Sequence, residues 1–478
     1  GGVDIISMTG NNKDTTMATV AAEEGTPLLH PKIKQLEEND VSASSAGTST
    51  VSATIFNFTN SIVGAGCIAL GSAMAESGGL VSIAAISFFA ILSKHSFDLV
   101  ISLSREAAAA DPASKITAAS YESLGEHAYG PGGRTLVAAC KLIYSYGSLV
   151  AYIKIVKDNF ASAVVQLCTM VMSPTSPHIA WSIRHDDFVT VLVSLAVIFP
   201  ICLLRNMSAL ERCSIAKVAI VFFMLFAMIY LWAMSDYAEV SMDPPISTYE
   251  RWFEVRTGFA KSLGSFVFTF VAQHTINLTY GSLKPSLQTM RNWQVVSTYS
   301  TVLSAIISMS VGLVSYATFW TDASSDLFSL YPKSSVPVAL AKLFLSVMMM
   351  FTYPMTFLTC RELCIPIAPE KGNNNGKAWW LLGQQSDQLI LPLHVALTFL
   401  IWGSTTILAI LAPSLADVLN LVGSATGTLI AFVLPAMFSY QMRGYTHLAA
   451  TLVLVGGSIG ILGTYLSLLK LMGSTDYQ

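Results

Sequence analysis

The sequence predicts an all-α integral membrane protein of about eleven transmembrane helices, two of them broken, the first ten arranged as two blocks of five. Three observations predict it. Hydrophobic residues make up 53% of the 478 residues and charged residues only 12%, about half the charged share of a soluble chain. Apolar runs of roughly 20 residues, the length that crosses a hydrocarbon core, recur along the chain. The first and sixth of these runs are interrupted near their middles, as in membrane proteins built from inverted repeats.

Residues 1–50 are rich in Ser, Thr, Gly and charge, lack an apolar core and read as a disordered cytosolic tail. The membrane domain follows over 51–471, with spans near 52–73, 79–104, 134–158, 187–204, 213–234, 258–282, 295–320, 335–359, 389–411, 416–439 and 447–470. Each must be helical, because lipid offers no partner for open backbone groups. Residues 472–478 form a short non-cytosolic tail. With the N-terminus inside, more Lys and Arg fall on the inner side than on the outer, which sets the orientation.

Span 1 contains Gly64 and Gly66 flanking Ala65, and glycines so close together permit unwinding. Span 6 carries Gln273, His274, Thr275 and Asn277 in the middle of an apolar run. An unwound stretch in lipid frees N–H and C=O groups, so it must line a cavity or bind something. Freed N–H groups suit an anion such as a carboxylate, and freed carbonyls suit a cation. In span 8, Thr352 and Thr356 share a face, and Pro354 leaves the carbonyl of Met350 without its helical donor. Neutral oxygens of that kind suit sodium, although threonine also bonds back to its own helix. His274 is the one titratable group in a break and offers a proton-coupled alternative. Lys94 and Asp98, spaced i, i+4, read as a structural ion pair.

Other features exclude function classes. A net charge of −3 gives no sign of a nucleic-acid partner. The seven cysteines show neither zinc spacing nor a disulfide framework. No nucleophile–base pair recurs on one face of a span, so an enzyme is not expected. The sequons at Asn57, Asn206 and Asn277 lie in spans or in a short basic loop and are expected to stay unmodified. In the tail, "EEGTPLL" matches an acidic dileucine sorting signal through Glu24, Leu28 and Leu29, readable by a sorting adaptor. It favours a lysosomal or vacuolar membrane over the plasma membrane.

Several passages resemble the amino acid/auxin permease family: "FNFTNSIVGAGCIALGSAMAESGG" of span 1, "SYESLGEHAYGPGGR" before span 3, "AYIKIVKDNF" within it, "FTYPMTFLTCREL" of span 8 and "APSLADVLNLVGSATGTLIAFVLPAMF" of span 10. Within that family the chain resembles the sodium-coupled neutral amino acid transporters and the vacuolar amino acid transporters. The resemblance implies a LeuT-type fold and secondary active transport of an amino acid, coupled to sodium or protons, with no other cofactor. It implies substrate contacts at Ser61, Val63, Gly64, Ala65 and Gly66, and sodium coupling through Asn60 and Thr352, which Thr356 joins by its shared face. Gln273, His274 and Thr275 complete the expected substrate site. Two departures stand out: the helix-6 string "QHTIN" is altered, and Glu76 replaces a more usual neutral residue. The alternative is a sensor that binds an amino acid and signals through its tail with little net transport.

Overall fold

The structure, a computed structural model, describes residues 47–110, 118–171, 186–204, 214–234, 247–332, 335–364 and 391–474. The sorting string, Asn206 and most of the N-terminal tail lie outside the described residues. Eight helices among them are long and apolar enough to cross a membrane: Gly79–Ala109, Tyr121–Met170, Lys217–Met234, Met290–Phe319, Val336–Cys364, Leu391–Leu411, Leu415–Arg443 and His447–Gly473. These correspond to spans 2, 3, 5, 7, 8, 9, 10 and 11. Span 4 is a shorter apolar helix, Asp187–Cys202. Spans 1 and 6 are interrupted: Val51–Ile62, Ala65–Ile68 and Leu70–Ser77 make the first, Phe259–Thr269 and Ile276–Ser282 the second.

Contacts between helix ends define two faces, named inner and outer after the orientation expected from the Lys and Arg distribution. On the inner face the residues before span 1 pair with the end of span 6: Ser49 N–H donates to Ser282 O at 2.9 Å and Lys284 N–H to Ser49 O at 3.1 Å. There too Arg443, closing span 10, donates to Glu106 of span 2 at 3.0 Å. On the outer face Arg256 N–H donates to Ser77 O at 3.2 Å, joining the end of span 1 to the approach of span 6. The outer half of span 6 packs on span 10 backbone to backbone. A Cβ on Gly264 would lie 2.0 Å from Asn420 O, and one on Gly423 2.0 Å from Gly264 O. Small residues let membrane helices approach this closely. The Ser265 N–H then donates to Asn420 Oδ1 at 2.8 Å.

Three features differ from the sequence expectation. Span 3 starts earlier and ends later, running Tyr121–Val171 through a kink at Tyr129 and Gly130. Gly130 has φ 69°, and Pro131 follows at the start of the second limb, where its missing N–H needs no helical partner. π-helical segments interrupt span 4 at Ser194–Ile198 and span 10 at Gly423–Gly427 and Leu429–Val433. Widened turns disturb the usual i→i+4 ladder. Near them, Tyr121 donates to Ile430 O at 2.8 Å and the Ser96 hydroxyl donates to Ala431 O. The Lys94–Asp98 pair forms as expected at 2.8 Å, and Asp98 also accepts from Ser297 at 2.7 Å.

The outer loop after span 7 holds a carboxylate in an unfavourable place. Burial pushes the Asp326 carboxyl up to about 6, the nearby Lys342 opposing and Asp158 reinforcing the shift. A raised carboxyl pKa favours the fold below the unfolded value, near 4, and that advantage is lost as pH rises through about 6. Asp326→Asn therefore stabilises the protein above pH ~6.5, by about 2 kcal/mol after allowing for solvent on one side of the group. Thermal melts of both proteins across pH 4–8 check this: the curves converge near pH ~4, draw apart between ~4 and ~6 and stay apart above ~6. Parallel curves would show that Asp326 ionises normally.

Candidate functional site: the meeting of two broken helices

Val51–Ile62 ends when the Val63 N–H turns back to Thr59 O at 2.8 Å. Gly64 is then extended, with φ −139° and ψ −147°, before the short helix Ala65–Ile68. Among the described residues, the N–H groups of Gly64, Ala65 and Gly66 donate to no backbone acceptor. Such groups at a helix start carry partial positive charge. In span 6 the α-helix stops at Thr269 and resumes at Ile276, with turn-like bonds from Val271 to Phe268 O at 3.3 Å and from Thr275 to Ala272 O at 3.1 Å.

The fold brings the two breaks together. A Cβ on Gly66 would lie 2.6 Å from Thr269 Cα, so only glycine admits this approach. Gly64 is the reverse: nothing lies within 4 Å of where its Cβ would be. One glycine seals the broken helices against each other, and the other faces open space beside the freed N–H groups.

Span 3 supplies the wall. Tyr144 donates to the Val271 carbonyl of the span 6 break at 3.4 Å. Its ring centroid stands 5.1 Å from His274 and 5.3 Å from Phe268. His274 Nδ1 is buried without a hydrogen-bond partner. Sequence reasoning missed Tyr144; the available signal was a phenol inside an apolar span, since a buried hydroxyl seeks a partner.

The other expected site residues divide. Gln273 is fully buried and turned into the protein: its Oε1 accepts from Ala272 N–H at 3.1 Å, and its Nε2 reaches Ser96 Oγ at 3.3 Å and Ala431 O at 3.4 Å. It braces span 6 to spans 2 and 10, a facing that could not be read from sequence because a non-helical segment has no fixed periodicity. Thr275 Oγ1 donates to Ala272 O at 3.1 Å and stays at the break. Asn277 ties span 6 to Ser104 of span 2 at 3.2 Å and to the Ala119 carbonyl. Ser61 is exposed and bonds back to Asn57 O at 3.1 Å, while Val63 is buried.

For a coupling ion, the donor set is neutral oxygen. Thr352 Oγ1 donates to Met348 O at 2.7 Å, leaving its lone pairs to accept or coordinate. Thr356 lies beside the Tyr152 hydroxyl. Asn60 is half-buried with no hydrogen-bond partner among the described residues. Hydroxyl, amide and carbonyl oxygens fit a hard monovalent cation, and no hydrogen bond joins Asn60 to Thr352 or Thr356 among the described residues. No group of three or more His, Cys, Asp or Glu that could hold a metal occurs among them either.

A multi-pass helical bundle whose two broken helices meet at their breaks is built as a membrane transporter, with a polar site enclosed by apolar spans. The sequence model described as "Transmembrane amino acid transporter protein" matches residues 47–464, and the chain belongs to that family. It is 23% identical over 428 residues to a protein of Danio rerio named "Putative sodium-coupled neutral amino acid transporter 11", covering 88% of this chain and 87% of that one. The chain is therefore an integral membrane amino acid transporter and not an enzyme.

Proposed function

We propose that the chain carries neutral amino acids by secondary active transport, coupled to sodium, through alternating access. The observation that carries this reading is the contact of Gly66 with Thr269, which sets the freed N–H groups of span 1 against the point where the span 6 helix breaks. An amino acid needs both at once: the carboxylate meets the N–H groups of Gly64 to Gly66, and the ammonium meets carbonyls of the two breaks. These binding groups are main-chain dipoles rather than charged side chains, which suits a zwitterion with a neutral side chain. His274, with its unpartnered ring nitrogen, faces the substrate side chain, and Thr275 supports that wall. Ser61 and Val63 border the entrance.

On this reading the eight long helices, the short fourth span and the two broken ones supply eleven crossings, the first ten in a LeuT-type order of five and five. Sodium is favoured because the Danio rerio relative bears that name and because Asn60, Thr352 and Thr356 present neutral oxygens. The tail string at Glu24, Leu28 and Leu29 supports a lysosomal or vacuolar address read by an adaptor.

Uptake of labelled amino acids into proteoliposomes tests the reading. A sodium gradient is expected to drive accumulation of neutral amino acids, and Thr352→Ala is expected to weaken the sodium dependence about tenfold while proton gradients have little effect. Uptake driven by protons alone would overturn sodium coupling, and binding without flux under any gradient would overturn transport.

A further inference from the structure

Glu76 ends span 1 where a neutral residue was expected, and the substrate site makes no use of it. Its carboxylate accepts from Ser262 Oγ, on the outer half of span 6, at 2.7 Å. It also faces Lys470 Nζ, near the end of span 11, at 3.6 Å. The same ammonium stands 2.8 Å from Asp417 Oδ1, at the start of span 10. Asp417 is held in turn by Ser414, whose hydroxyl donates to its Oδ2 at 2.6 Å and accepts from its N–H at 3.1 Å. Asp417 Oδ1 has no aligned hydrogen-bond donor among the described residues, so the ammonium is a charge contact with a nearly buried oxygen.

One cation thus joins two carboxylates from two different parts of the bundle. Directly beneath it lies the tightest contact of the outer face, where Gly264 meets Asn420 and Gly423. Spans 1 and 6 are the broken ones, whose outer halves must part from their neighbours for a solute to reach the breaks from that side. We propose that Lys470 is a latch: its ion pairs to Glu76 and Asp417 hold the outer halves of spans 1 and 6 closed against spans 10 and 11. The latch rests on the alternating-access reading above, since a gate has meaning only if this face opens. The geometry makes Lys470 a positioning residue. It touches no part of the substrate site and acts by weighting the closed state of the outer face.

The Lys470 side chain is 40% exposed, Glu76 31% and Asp417 9%. Pairs this wet contribute modestly and are weakened by salt. Breaking the latch should therefore shift the closed–open balance roughly fivefold, the equivalent of about 1 kcal/mol.

The test uses a reporter under the latch. Ser265, 1% exposed, lies one turn below Ser262 and its N–H is bonded to Asn420. In nanodisc-embedded protein carrying Ser265→Cys, the rate of modification by a charged methanethiosulfonate is measured without amino acid or gradient. The background from the native cysteines is subtracted. Lys470→Met should speed modification roughly fivefold, and Lys470→Glu, which sets a third negative charge against two others, should speed it more. Lys470→Arg should stay near wild type. Raising salt from about 0.05 M to about 0.5 M should speed modification of the wild-type latch and leave Lys470→Met unchanged.

Equal rates in wild type, Lys470→Met and Lys470→Glu, with all three monodisperse and melting alike, would overturn the latch. So would a salt response that persists in Lys470→Met. The readout needs no transport. A latch response with no uptake by the wild type would refute the transport proposal alone, and uptake with no latch response would refute the latch alone.

Discussion

Gly66→Ala will lower amino acid uptake at least a hundredfold, while Gly64→Ala will leave a folded protein with weakened substrate binding. The two glycines are separated by one residue and meet opposite surroundings. A methyl on Gly66 would stand 2.6 Å from Thr269 Cα and 3.0 Å from Thr269 N. Those are backbone atoms, so no side chain can rotate away and the two broken helices must separate. A displacement of about 1 Å at a positioned site costs on the order of a hundredfold in rate. At Gly64 nothing lies within 4 Å, and its φ of −139° is outside the left-handed region that favours glycine. The added methyl there occupies space beside the freed N–H groups, which raises KM several-fold and leaves the thermal midpoint in place. Uptake kinetics and melting curves on both variants check the contrast. Equal effects from both substitutions would show that the breaks are packing features and hold no substrate.

Arg361→Met will lower the stability of the described bundle by about 3 kcal/mol or more, the usual result of removing one partner from a buried charged network. Arg361 is fully buried. Its guanidinium donates to Cys202 O at 2.8 Å and reaches Leu204 O at 3.5 Å, at the carbonyl end of span 4. It also donates to Thr398 Oγ1 of span 9 at 3.4 Å and lies 5.7 Å from the Phe357 ring centroid. The final carbonyls of a helix have no helical donor and carry partial negative charge, so one cation serves several of them. His394 adds a ring nitrogen 3.1 Å from Leu203 O. Spans 4, 8 and 9 are thereby fastened at one point, away from the breaks. Arg361→Lys keeps the charge but loses the planar fork and should recover only part of the loss. The expected signature is a lower thermal midpoint with KM unchanged in the protein that remains folded. An unchanged melt for Arg361→Met would mean that Phe357, Thr398 and the span 4 carbonyls hold without it.

Much of this site was legible before any fold was known, for identifiable reasons. Apolar length marks a span because lipid thickness is nearly constant. Gly64, Gly66 and the polar knot at 273–277 mark breaks because a lipid-facing helix has no use for them. Lys94 and Asp98 could be paired on paper because a helix sets residues four apart on one face. Gln273 shows the limit of the method. It lies in the predicted break, but its amide faces Ser96 and Ala431. Inside a helix, periodicity tells which way a side chain points; across a break that clock stops. The π segments of span 10 have the same cause, since a widened turn leaves no mark in the pattern of apolar residues.

By itself, then, the sequence determined that the chain crosses a membrane many times, which helices are interrupted, and where neutral oxygens and glycines stand along them. Those are local properties, set by hydropathy and backbone permissiveness over windows of a single span. The tertiary structure alone decided which elements meet: Gly66 against Thr269, Tyr144 over the span 6 break, Arg361 on the end of span 4, and Lys470 between Glu76 and Asp417. Each of these joins residues from different spans, where the facing of two helices is settled by how their surfaces pack. A residue four positions away is fixed by helix geometry; a residue from another span is fixed only once every span has found its neighbours.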